Sequence, residues 1–504
     1  MTDIVNSTIP LTDIVNSPLP VYAMLVPLIG VILIAVLRKI PNQREAVTLI
    51  SAFLMFSFVI SMLPTILSGK VIEFKLITLF SNLDIKFKMD ALKIFFAITT
   101  SFLWIVTSFY SIGYVRGAKE QKQTRYFMCF AAAMFAAIGV AFSGNMLTTY
   151  IFYEIITLCT FPLVAHKGTT EALRGARIYF IYLLGTSIAF QLSAIFLTYH
   201  ATGTLDFSNQ GIFNEARANG LSNVFIYVTF GLFIAGIAKA GAMPFHAWLP
   251  NAMVAPTPVS ALLHAVAVVK TGVFVILKVI LHIFGIDLLA KLGLGTALIY
   301  FASFTIITAS IIALRQTNLK ARLAYSTISQ LSYIIFGAAL LSPSGITGSI
   351  MHLVVHAFGK ITLFFCAGAI YIATHKTNIK ELNGIGKKMP ITMAAYTLGA
   401  FSMIGIPPFG GFLTKWYLLT GTIENKYFPL MAVLAASSIL NASYFLPITY
   451  KAFFRALPEG ETPEMTEAPY LMVIPLCLTA LGTIALFFFP NLFLDLANTV
   501  VKSL

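Results

Sequence analysis

The segment VFIYVTFGLFIAGIAKAGAMPF, residues 224–245, decides the class of this protein. It is long and apolar enough to cross a bilayer, which needs about 20 residues, yet it carries Lys239 in its interior. A charged side chain at the bilayer centre costs several kcal/mol, about 2.5–3.5 at the lower end. A lysine at this depth therefore indicates a use for the charge.

Four further apolar segments carry an ionisable side chain in the same way. They hold Glu154 in NMLTTYIFYEIITLCTFPLV, Lys270 in VSALLHAVAVVKTGVFVILK, Lys360 in HLVVHAFGKITLFFCAGAI, and Lys415 just after GIPPFGGFL. Such groups are rare in membrane helices and usually mark ion or proton paths. The movement of protons through the membrane is the simplest common explanation for all of them.

The composition indicates a polytopic membrane protein. Of the 504 residues, 58% are hydrophobic and 10% are charged, and mean hydropathy is +0.87, whereas soluble domains carry about 25% charged residues. We predict an all-α membrane protein with about 14 transmembrane helices. The spans fall near residues 20–37, 45–67, 91–113, 126–142, 145–165, 173–200, 223–242, 258–281, 293–314, 321–341, 345–374, 391–421, 428–453 and 470–490.

Basic residues concentrate in the loops after the odd-numbered spans. That side carries roughly 19 lysine and arginine residues and the other side about 9, and the positive-inside rule assigns the richer side to the cytoplasm. This asymmetry places those loops in the cytoplasm. Both termini are then expected outside, with the chain in the cell inner (cytoplasmic) membrane. The net charge of +14 is a signal of topology, and we expect a lipid membrane and no nucleic acid as partner.

The sequence shows no motif for a metal or a cofactor. The four cysteines lie singly in apolar runs, and neither a CxxC pair nor a glycine-rich nucleotide fingerprint occurs. We therefore expect no metal site and no cofactor bound by this chain, and we interpret the cysteines as small buried apolar side chains.

Two interrupted segments resemble each other. MPFHAWL at residues 243–249 and PPFGGFL at residues 407–413 share the pattern Pro-Phe-x-x-aromatic-Leu. Proline removes a helix hydrogen bond, and broken helices at matching places in two halves are typical of transporters built from repeats. We expect each break to border a polar interior, because only protein or water can satisfy its backbone. Chance similarity of so short a pattern is the alternative.

Glu154 and Lys239 are the first candidate pair. A buried charge without a partner would neutralise, so if these two side chains approach, each stabilises the charge of the other. Separating them, or bringing a third charge near, would release the proton of Lys239. A static structural ion pair is the alternative interpretation.

The next apolar segment carries His264, Lys270 and Lys278. The offset of six residues puts His264 and Lys270 about 120° apart at 100° per helical residue, so they need not touch. His264 is interpreted as a proton relay or as a hydrogen-bonded core histidine. Lys278, near the end of this helix, is expected to extend along apolar surface towards water.

His352, His356 and Lys360 line one helix face, because they are spaced four residues apart. Histidine titrates near neutrality, so we predict a proton relay, with a polar packing stripe as the alternative. Lys415 lies roughly in the middle of the segment after the second break. We interpret it as a terminal proton site; the alternative is a lysine at a helix end whose side chain extends to the membrane surface. Four polar side chains that hold water or pack helices complete the set: Ser326, Thr327, Ser329 and Gln330.

Five stretches together resemble the antiporter-like subunits of complex I, Mrp-type cation/proton antiporters and membrane-bound nickel–iron hydrogenases. They are NMLTTYIFYEIITL, AKAGAMPFHAWLPNAMVAPTPVSALLHAVAVVKTGV, RLAYSTISQLSYI, HLVVHAFGKITLFFCAGAI and GIPPFGGFLTKW. The similarity covers about residues 90–455 in the expected order. It implies fourteen helices with two inverted five-helix repeats and with the seventh and twelfth helices broken.

The resemblance also implies a proton path in the plane of the membrane. Its members here are Glu154 on the fifth helix, Lys239 on the seventh, Lys270 on the eighth, His356 and Lys360 on the eleventh, and Lys415 on the twelfth. The pattern is closest to the D-type Mrp protein and the subunit-4 type of complex I. Lysine in place of glutamate on the twelfth helix favours the Mrp D-type or its hydrogenase counterpart.

We predict four parts without linkers between them. They are residues 1–125 with helices 1–3, residues 126–281 with the first inverted repeat (helices 4–8), residues 293–455 with the second (helices 9–13), and residues 456–504 with an acidic loop and helix 14. The hexapeptide TDIVNS occurs twice, at residues 2–7 and 12–17, and has no assigned role.

The leading hypothesis is a proton-translocating, non-redox subunit of a multi-subunit complex that is NADH dehydrogenase-like, a hydrogenase or an Mrp antiporter. Proton movement would be coupled to cation antiport or to electron transfer in partner subunits. Expected partners are other hydrophobic subunits, with or without iron–sulfur subunits. The alternatives are a sodium-conducting subunit of a Na+/H+ antiporter and a stand-alone solute transporter. Sodium wants oxygen ligands, so the nitrogen-rich set favours protons.

Overall fold

The computed structural model describes residues 13–80, 83–218, 220–460 and 463–504. The first copy of TDIVNS lies outside these ranges, as do residues 461–462 of the acidic loop. In the second copy, Ile14–Asn16 form a β-strand.

The described residues form three strands and a series of helices. The strands are β1 (Ile14–Asn16), β2 (Val71–Phe80) and β3 (Leu83–Met89). The helices are α1 (Leu19–Val36), α2 (Pro41–Leu67), α3 (Ala91–Gly117), α4 (Gln123–Phe142), α5 (Met146–Val164), α6 (Thr170–Thr202), α7 (Phe213–Ala218), α8 (Asn223–Gly236), α9 (Trp248–Asn251), α10 (Thr257–Phe284), α11 (Ile286–Lys291), α12 (Leu294–Arg315), α13 (Leu319–Ala339), α14 (Pro343–Thr374), α15 (Ile385–Lys388), α16 (Pro390–Ile404), α17 (Gly410–Glu424), α18 (Phe428–Phe454), α19 (Tyr470–Phe488) and α20 (Asn491–Ser503).

The prediction of a helical membrane protein is confirmed. Within the described ranges, 11 helices are long and apolar enough to cross a membrane. The remaining predicted spans are also helical, at α8, at α13 and at the pair α16 and α17, although these helices are shorter or more polar. The total of 14 crossings and the inverted repeats stay predictions.

A small β-sheet corrects the purely α-helical prediction. β1 pairs with β2 in parallel, and β2 pairs with β3 in antiparallel register, with Phe74 opposite Phe87. The sheet fills the connection between α2 and α3. Its sequence signal is the alternation in Ile85–Met89, where lysines and apolar residues take turns as a half-buried strand requires.

Three helices form the centre of the molecule. In its most apolar stretch α10 is 100% buried, α14 is 94% buried and α3 is 89% buried, whereas α1, α2 and α18 are each 33% buried. The outer helices expose large apolar side chains such as Ile32, Phe53 and Ile439. The central helices are thus shielded from lipid by the others, which is where a membrane protein can hold polar groups.

N-cap side chains begin several helices. Asp90 accepts a hydrogen bond from the backbone N of Lys93 at 3.1 Å, and Asn145 accepts one from the backbone N of Thr148 at 2.8 Å. These bonds satisfy donors that have no partner within the helix. The caps set where α3 and α5 begin.

Both interrupted segments are broken in the structure, as predicted. α8 ends at Gly236, and a short 3-10 turn at Ala238–Ala240 precedes α9. α16 ends at Ile404, and α17 begins at Gly410. Each break leaves backbone carbonyl groups without helical partners, so each needs side chains to satisfy it.

π-helical turns interrupt two of the long helices. They occupy Ser187–Leu192 in α6, and Leu262–Val266 and Val279–Phe284 in α10. Such turns are rare and are often found at functional sites. The predicted relay residue His264 lies in one of them.

Candidate functional site

Lys239 and Glu154 form an ion pair inside the protein. Lys239 Nζ lies 3.7 Å from Glu154 Oε1, and the exposed fractions of the two side chains are 0% and 14%. Within the described part of the chain, neither Lys239 Nζ nor either Glu154 oxygen has a hydrogen-bond partner. The pair is held by charge and not by a directed hydrogen bond, because the distance exceeds the usual 2.7–3.2 Å.

The broken end of α8 positions Lys239. Trp248 Nε1 donates a hydrogen bond to the freed carbonyl oxygen of Ala238 at 2.9 Å. Gly272 of α10 packs against the break so closely that a Cβ there would lie 2.4 Å from the carbonyl carbon of Lys239. On the other side, Lys239 Nζ lies 3.2 Å from the centroid of the Tyr153 ring. The ammonium group is thus enclosed by an aromatic face and one carboxylate.

Lys270 is buried in α10 without a partner for its charge. Its residue is 2% exposed, and Nζ has no hydrogen-bond partner among the described residues. A cavity of about 10 Å³ adjoins it, lined also by Thr99 and Thr100, which is comparable to the space that one water molecule needs. The cavity therefore lies beside Lys270 and has about the size of a single water molecule.

His264 lies two turns before Lys270, within the π-helical turn. The backbone N of Ala267 donates to Leu262 O at 2.9 Å, a bond that spans five residues. The separation of about 120° was calculated for a regular α-helix, and a π turn changes the rotation per residue. Neither ring nitrogen of His264 has a described partner, and the centroid of its ring lies 4.8 Å from that of Phe364, with the two rings tilted by 39°.

His352 uses both ring nitrogens. Nδ1 lies 2.9 Å from Thr414 Oγ1, and Nε2 lies 3.0 Å from Gln330 Oε1. Thr414 is the residue before Lys415, so His352 connects α14 to the second break. These bonds hold the imidazole in place. Gln330 Oε1 can only accept, so Nε2 is the donor there, whereas the Thr414 hydroxyl group can either donate or accept.

His356 and Lys360 continue along the same face of α14. Neither nitrogen of His356 has a hydrogen-bond partner within the described ranges, yet His356 lies in electrostatic range of Lys270, Lys360 and His352. Lys360 Nζ donates to Ser326 Oγ and, at 3.4 Å, to Leu323 O. The predicted stripe on one helix face is therefore present, and it faces α10 on one side and α13 on the other.

Lys415 points inward and not towards lipid. Its Nζ donates to the freed carbonyl oxygen of Ile404 at 2.6 Å and to Ser438 Oγ at 2.9 Å. The side chain of the neighbouring residue, Trp416, is the one that faces outward, and it is 56% exposed. The carbonyl group of Ile404 at the second break is thus satisfied by Lys415.

The structure brings most predicted residues into one connected set. Electrostatic range links His356 to Lys270, His264 and Lys360, and hydrogen bonds lead from His352 through Thr414 to the start of α17. The pair Lys239 and Glu154 stands apart, since no hydrogen bond or ion pair between described residues joins it to Lys270. Its nearest link to α10 is the backbone contact at Gly272.

Three further polar residues on α18 belong to the set and were missed: Ser438, Asn441 and Tyr444. Tyr444 Oη donates to Asn441 Oδ1 and lies 3.2 Å from Ser326 Oγ, the acceptor of Lys360. Ser438 of the same helix binds Lys415. The spacing of Ser437, Asn441 and Tyr444 at four and three residues was the signal that could have identified this polar helix face.

Lys278 does not reach water, which corrects the prediction made for it. It is 0% exposed, and its Nζ donates to Val140 O at 2.8 Å. Val140 lies in the last turn of α4, where carbonyl groups lack helical partners and the helix dipole favours a cation. Lys278 thus closes the end of α4, a structural role that depends on contact between two helices distant in sequence.

The chain is similar to known membrane proteins along most of its length. A profile of the family described as NADH:quinone oxidoreductase/Mrp antiporter, TM, matches residues 143–440. The A-type protein of the Na(+)/H(+) antiporter of Alkalihalophilus pseudofirmus is 31% identical over 95% of this chain and 62% of its own length. NADH-quinone oxidoreductase subunit N of Desulforudis audaxviator is 29% identical over 77% of this chain and 79% of its own length. The chain spans only 61% and 62% of two antiporter proteins that it matches.

Solved structures share the fold. A chain of the Mrp complex from Dietzia sp. DQ12-45-1b superposes with a TM-score of 0.83 at 21% identity, covering 96% of both chains. A chain of the membrane-bound sulfane sulfur reductase, an archaeal respiratory membrane complex, gives 0.83 at 24% identity, covering 97% of this chain and 98% of that one. Since the family profile covers more than half of the residues, this chain belongs to the antiporter-like NADH:quinone oxidoreductase/Mrp antiporter family.

Proposed function

We propose that this chain is a proton-translocating subunit of a multi-subunit membrane complex. The observation that carries the proposal is a row of buried and half-buried ionisable side chains in a shell of apolar helices. Row members are Glu154, Lys239, His264, Lys270, His352, His356, Lys360 and Lys415. Hydrogen-bonded side chains adjoin His352, Lys360 and Lys415, and the histidines among the row can pass protons near neutral pH.

The first step is a charge-controlled release at Lys239. Its ammonium is stabilised by Glu154 at 3.7 Å and by no hydrogen bond among the described residues. Moving Glu154 away leaves a buried charge without compensation, and the lysine then favours its neutral form. The released proton passes towards Lys270 and the histidines of α14, with Lys415 as the last group of the row.

The surroundings of the subunit follow from its family. We infer other hydrophobic subunits as partners, and coupling either to cation antiport or to electron transfer in iron–sulfur subunits. The chain itself holds no cofactor in this proposal. We also infer 14 crossings, which include two inverted five-helix repeats with the two broken helices at equivalent positions. The distribution of basic loops indicates that the chain lies in the cytoplasmic membrane with both termini on its outer side.

Sodium conduction is the second candidate function, since one relative is named as part of a Na(+)/H(+) antiporter. Sodium binds through oxygen ligands. In the described row the only carboxylate is Glu154, and the remaining ionisable groups are nitrogen bases. This composition favours protons as the transported ion.

The proposal is tested by ion flux in sealed vesicles that carry the assembled complex. Glu154→Gln removes the counter-charge of Lys239, and Lys239→Ala removes the proton-carrying group, so both variants should largely abolish flux. Asp287→Asn, at an exposed carboxylate on α11, is the matched control and should transport like wild type. Full proton flux from an assembled Glu154→Gln complex would refute the proposed switch, and flux that follows sodium alone would favour the second candidate.

A further inference from the structure

A large cavity lies on the basic side of the molecule, away from the buried row. Its volume is about 720 Å³. It forms where the α5–α6 connection, the residues after α9, the start of α13 and the end of α14 meet. This size lies in the range of about 300–1,000 Å³ that is typical of small-molecule sites.

The charged lining of this basic cavity is strongly unequal. Lys167, Arg174, Lys320 and Lys376 are opposed by a single lining carboxylate, Glu171. Lys320 Nζ donates to Ala255 O at 2.6 Å. Among the described residues, Lys167, Arg174 and Lys320 form no ion pair. Lys167 and Arg174 are therefore not neutralised by an ion pair. Burial, with a further decrease from Lys167, lowers the pKa of Lys320 to about 7, so that Lys320 is only partly charged at pH 7 and a bound anion would favour its charged form.

The groups behind the lining reduce this charge but do not cancel it. Glu120 faces Lys167 and Lys320 as a second carboxylate; burial raises the pKa of its carboxyl group, and the two lysines act in the opposite direction. Four basic side chains are thus opposed by two carboxylates. Burial lowers the pKa of His166 to about 4, with a further decrease from Arg125. His166 is then neutral at pH 7 and adds no charge. The net field in the basic cavity is positive, which repels protons and metal cations and attracts anions.

The remaining wall suits an amphiphilic molecule. Tyr371, Met253 and Val254 supply apolar surface beside the cations, and Lys167 Nζ lies 5.9 Å from the centroid of the Tyr371 ring. Basic pockets between membrane helices on the cytoplasmic side are suited to phosphate headgroups, and arginine and lysine are the usual ligands of phosphate.

We propose that the basic cavity binds a phosphate-bearing anion, supplied either by the headgroup of an anionic membrane lipid or by a soluble phosphate compound. The anion would offset the repulsion between Lys167 and Lys320, which face the same space. This inference depends on the fold and the charges alone. No member of the row lines the cavity, although Lys320 lies in electrostatic range of His264, so the inference does not require proton movement along the row.

The experiment uses the assembled complex, stripped of lipid in a neutral detergent. Phosphatidylglycerol, phosphatidylcholine and inorganic phosphate are added separately, and bound molecules are counted by native mass spectrometry with a titration of each.

Three variants test the residues of the lining. Lys167→Gln with Arg174→Gln removes two cations from the lining. Arg38→Gln with Lys122→Gln removes the same charges from exposed loops outside the cavity, and is the matched control. Thr377→Glu adds a carboxylate to the lining without removing a cation.

We expect one saturable site for phosphatidylglycerol and none for phosphatidylcholine. The lining double variant should bind roughly thirty-fold more weakly, as expected for two basic residues at a membrane surface. Thr377→Glu should also weaken binding, whereas the control should bind like wild type. If inorganic phosphate shows this same residue dependence and the lipid does not, the source is a soluble phosphate compound. Absence of binding by either anion, or equal loss in the control variant, would overturn the proposal.

Discussion

At the first broken helix, Lys239 faces Glu154 at 3.7 Å and makes no hydrogen bond within the described residues. At the second, Lys415 donates to Ile404 O at 2.6 Å and to Ser438 Oγ at 2.9 Å, and no described carboxylate pairs with it. The two breaks share a sequence pattern and each places a lysine in the protein interior. One lysine is stabilised by a counter-charge and the other by oriented dipoles.

The difference indicates a division of roles. An ion pair without hydrogen bonds depends on distance and on other nearby charges, so the charge of Lys239 can be changed from outside the pair. A lysine with two directed hydrogen bonds is fixed in position and loses its proton only when a local base accepts it. Because the row is electrostatically coupled, any measured titration belongs to the set and not to one residue.

Replacing Lys415 should have the largest effect. In the proposed path Lys415→Leu removes the last proton carrier, and it leaves two partly buried acceptors without a donor, so flux should fall by about a hundredfold or more. Lys415→Glu should keep part of the activity, because related subunits carry glutamate there. Trp416→Leu, at the exposed neighbouring position, is the control. Vesicle flux at equal assembly provides the measurement, and wild-type flux in Lys415→Leu would make this lysine structural.

Gly272→Ala tests how closely the first break is positioned. A Cβ at Gly272 would lie 2.3 Å from the backbone N of Ala240, and such overpacking costs about 1–3 kcal/mol. We expect a lower unfolding temperature and flux reduced by about tenfold. Gly231→Ala, where nothing lies within 4 Å of the added Cβ, should change neither. Equal effects of the two substitutions would show that general helix stiffness, and not the position of Lys239, is responsible.

Tyr444→Phe tests the hydrogen-bonded side of the comparison near Lys360. The change removes the hydroxyl that links Asn441 to Ser326 Oγ, where Lys360 also donates. The loss of about 1 kcal/mol per hydrogen bond predicts flux reduced by about fivefold. Tyr450→Phe on the same helix, at a residue 52% exposed, is the control. Unchanged flux in Tyr444→Phe would remove α18 from the pathway.

The smallest effect is expected for Ser438→Ala. This change removes one of the two hydrogen bonds of Lys415 and leaves the bond to Ile404 O. Because the bond to Ile404 O still holds the ammonium group, we expect a loss of about 0.5–1 kcal/mol, so flux should fall by about two- to fivefold. Ser443→Ala, whose hydroxyl bonds only to its own helix at Ile439 O, is the comparison. A hundredfold loss in Ser438→Ala would mean that Ser438 itself carries protons.

Much of this site was predictable because burial of charge in lipid is costly enough to leave a pattern. The apolar runs around Glu154, Lys239 and Lys415 indicate depth, and the prolines predict the breaks. The four-residue spacing of α14 predicts its polar face. These inferences need only local sequence, since each depends on one helix and its surroundings.

Features that arise from contact between distant segments were not predictable. Lys278 resembles a surface-seeking lysine until α4 is known to end beside it at Val140. Tyr444 is typical of a membrane helix until Ser326 is found opposite. The π-helical turn at His264 depends on how α10 packs, and no residue type indicates it. Tertiary contact therefore determines these three features.

The polarity of α13 has a consequence for biogenesis. Among the described helices of similar length, α13 is not apolar enough to count as a membrane span, because it carries Lys320, Arg322 and Gln330. A helix of this kind does not partition into lipid readily alone. A short turn connects α12 to α13, and Arg322 stabilises this turn by donating a hydrogen bond to Gln316 O at 2.7 Å. The hydroxyl groups of Ser310 on α12 and Ser329 on α13 form a further hydrogen bond at 2.9 Å. The two helices are therefore expected to leave the translocon as one hairpin.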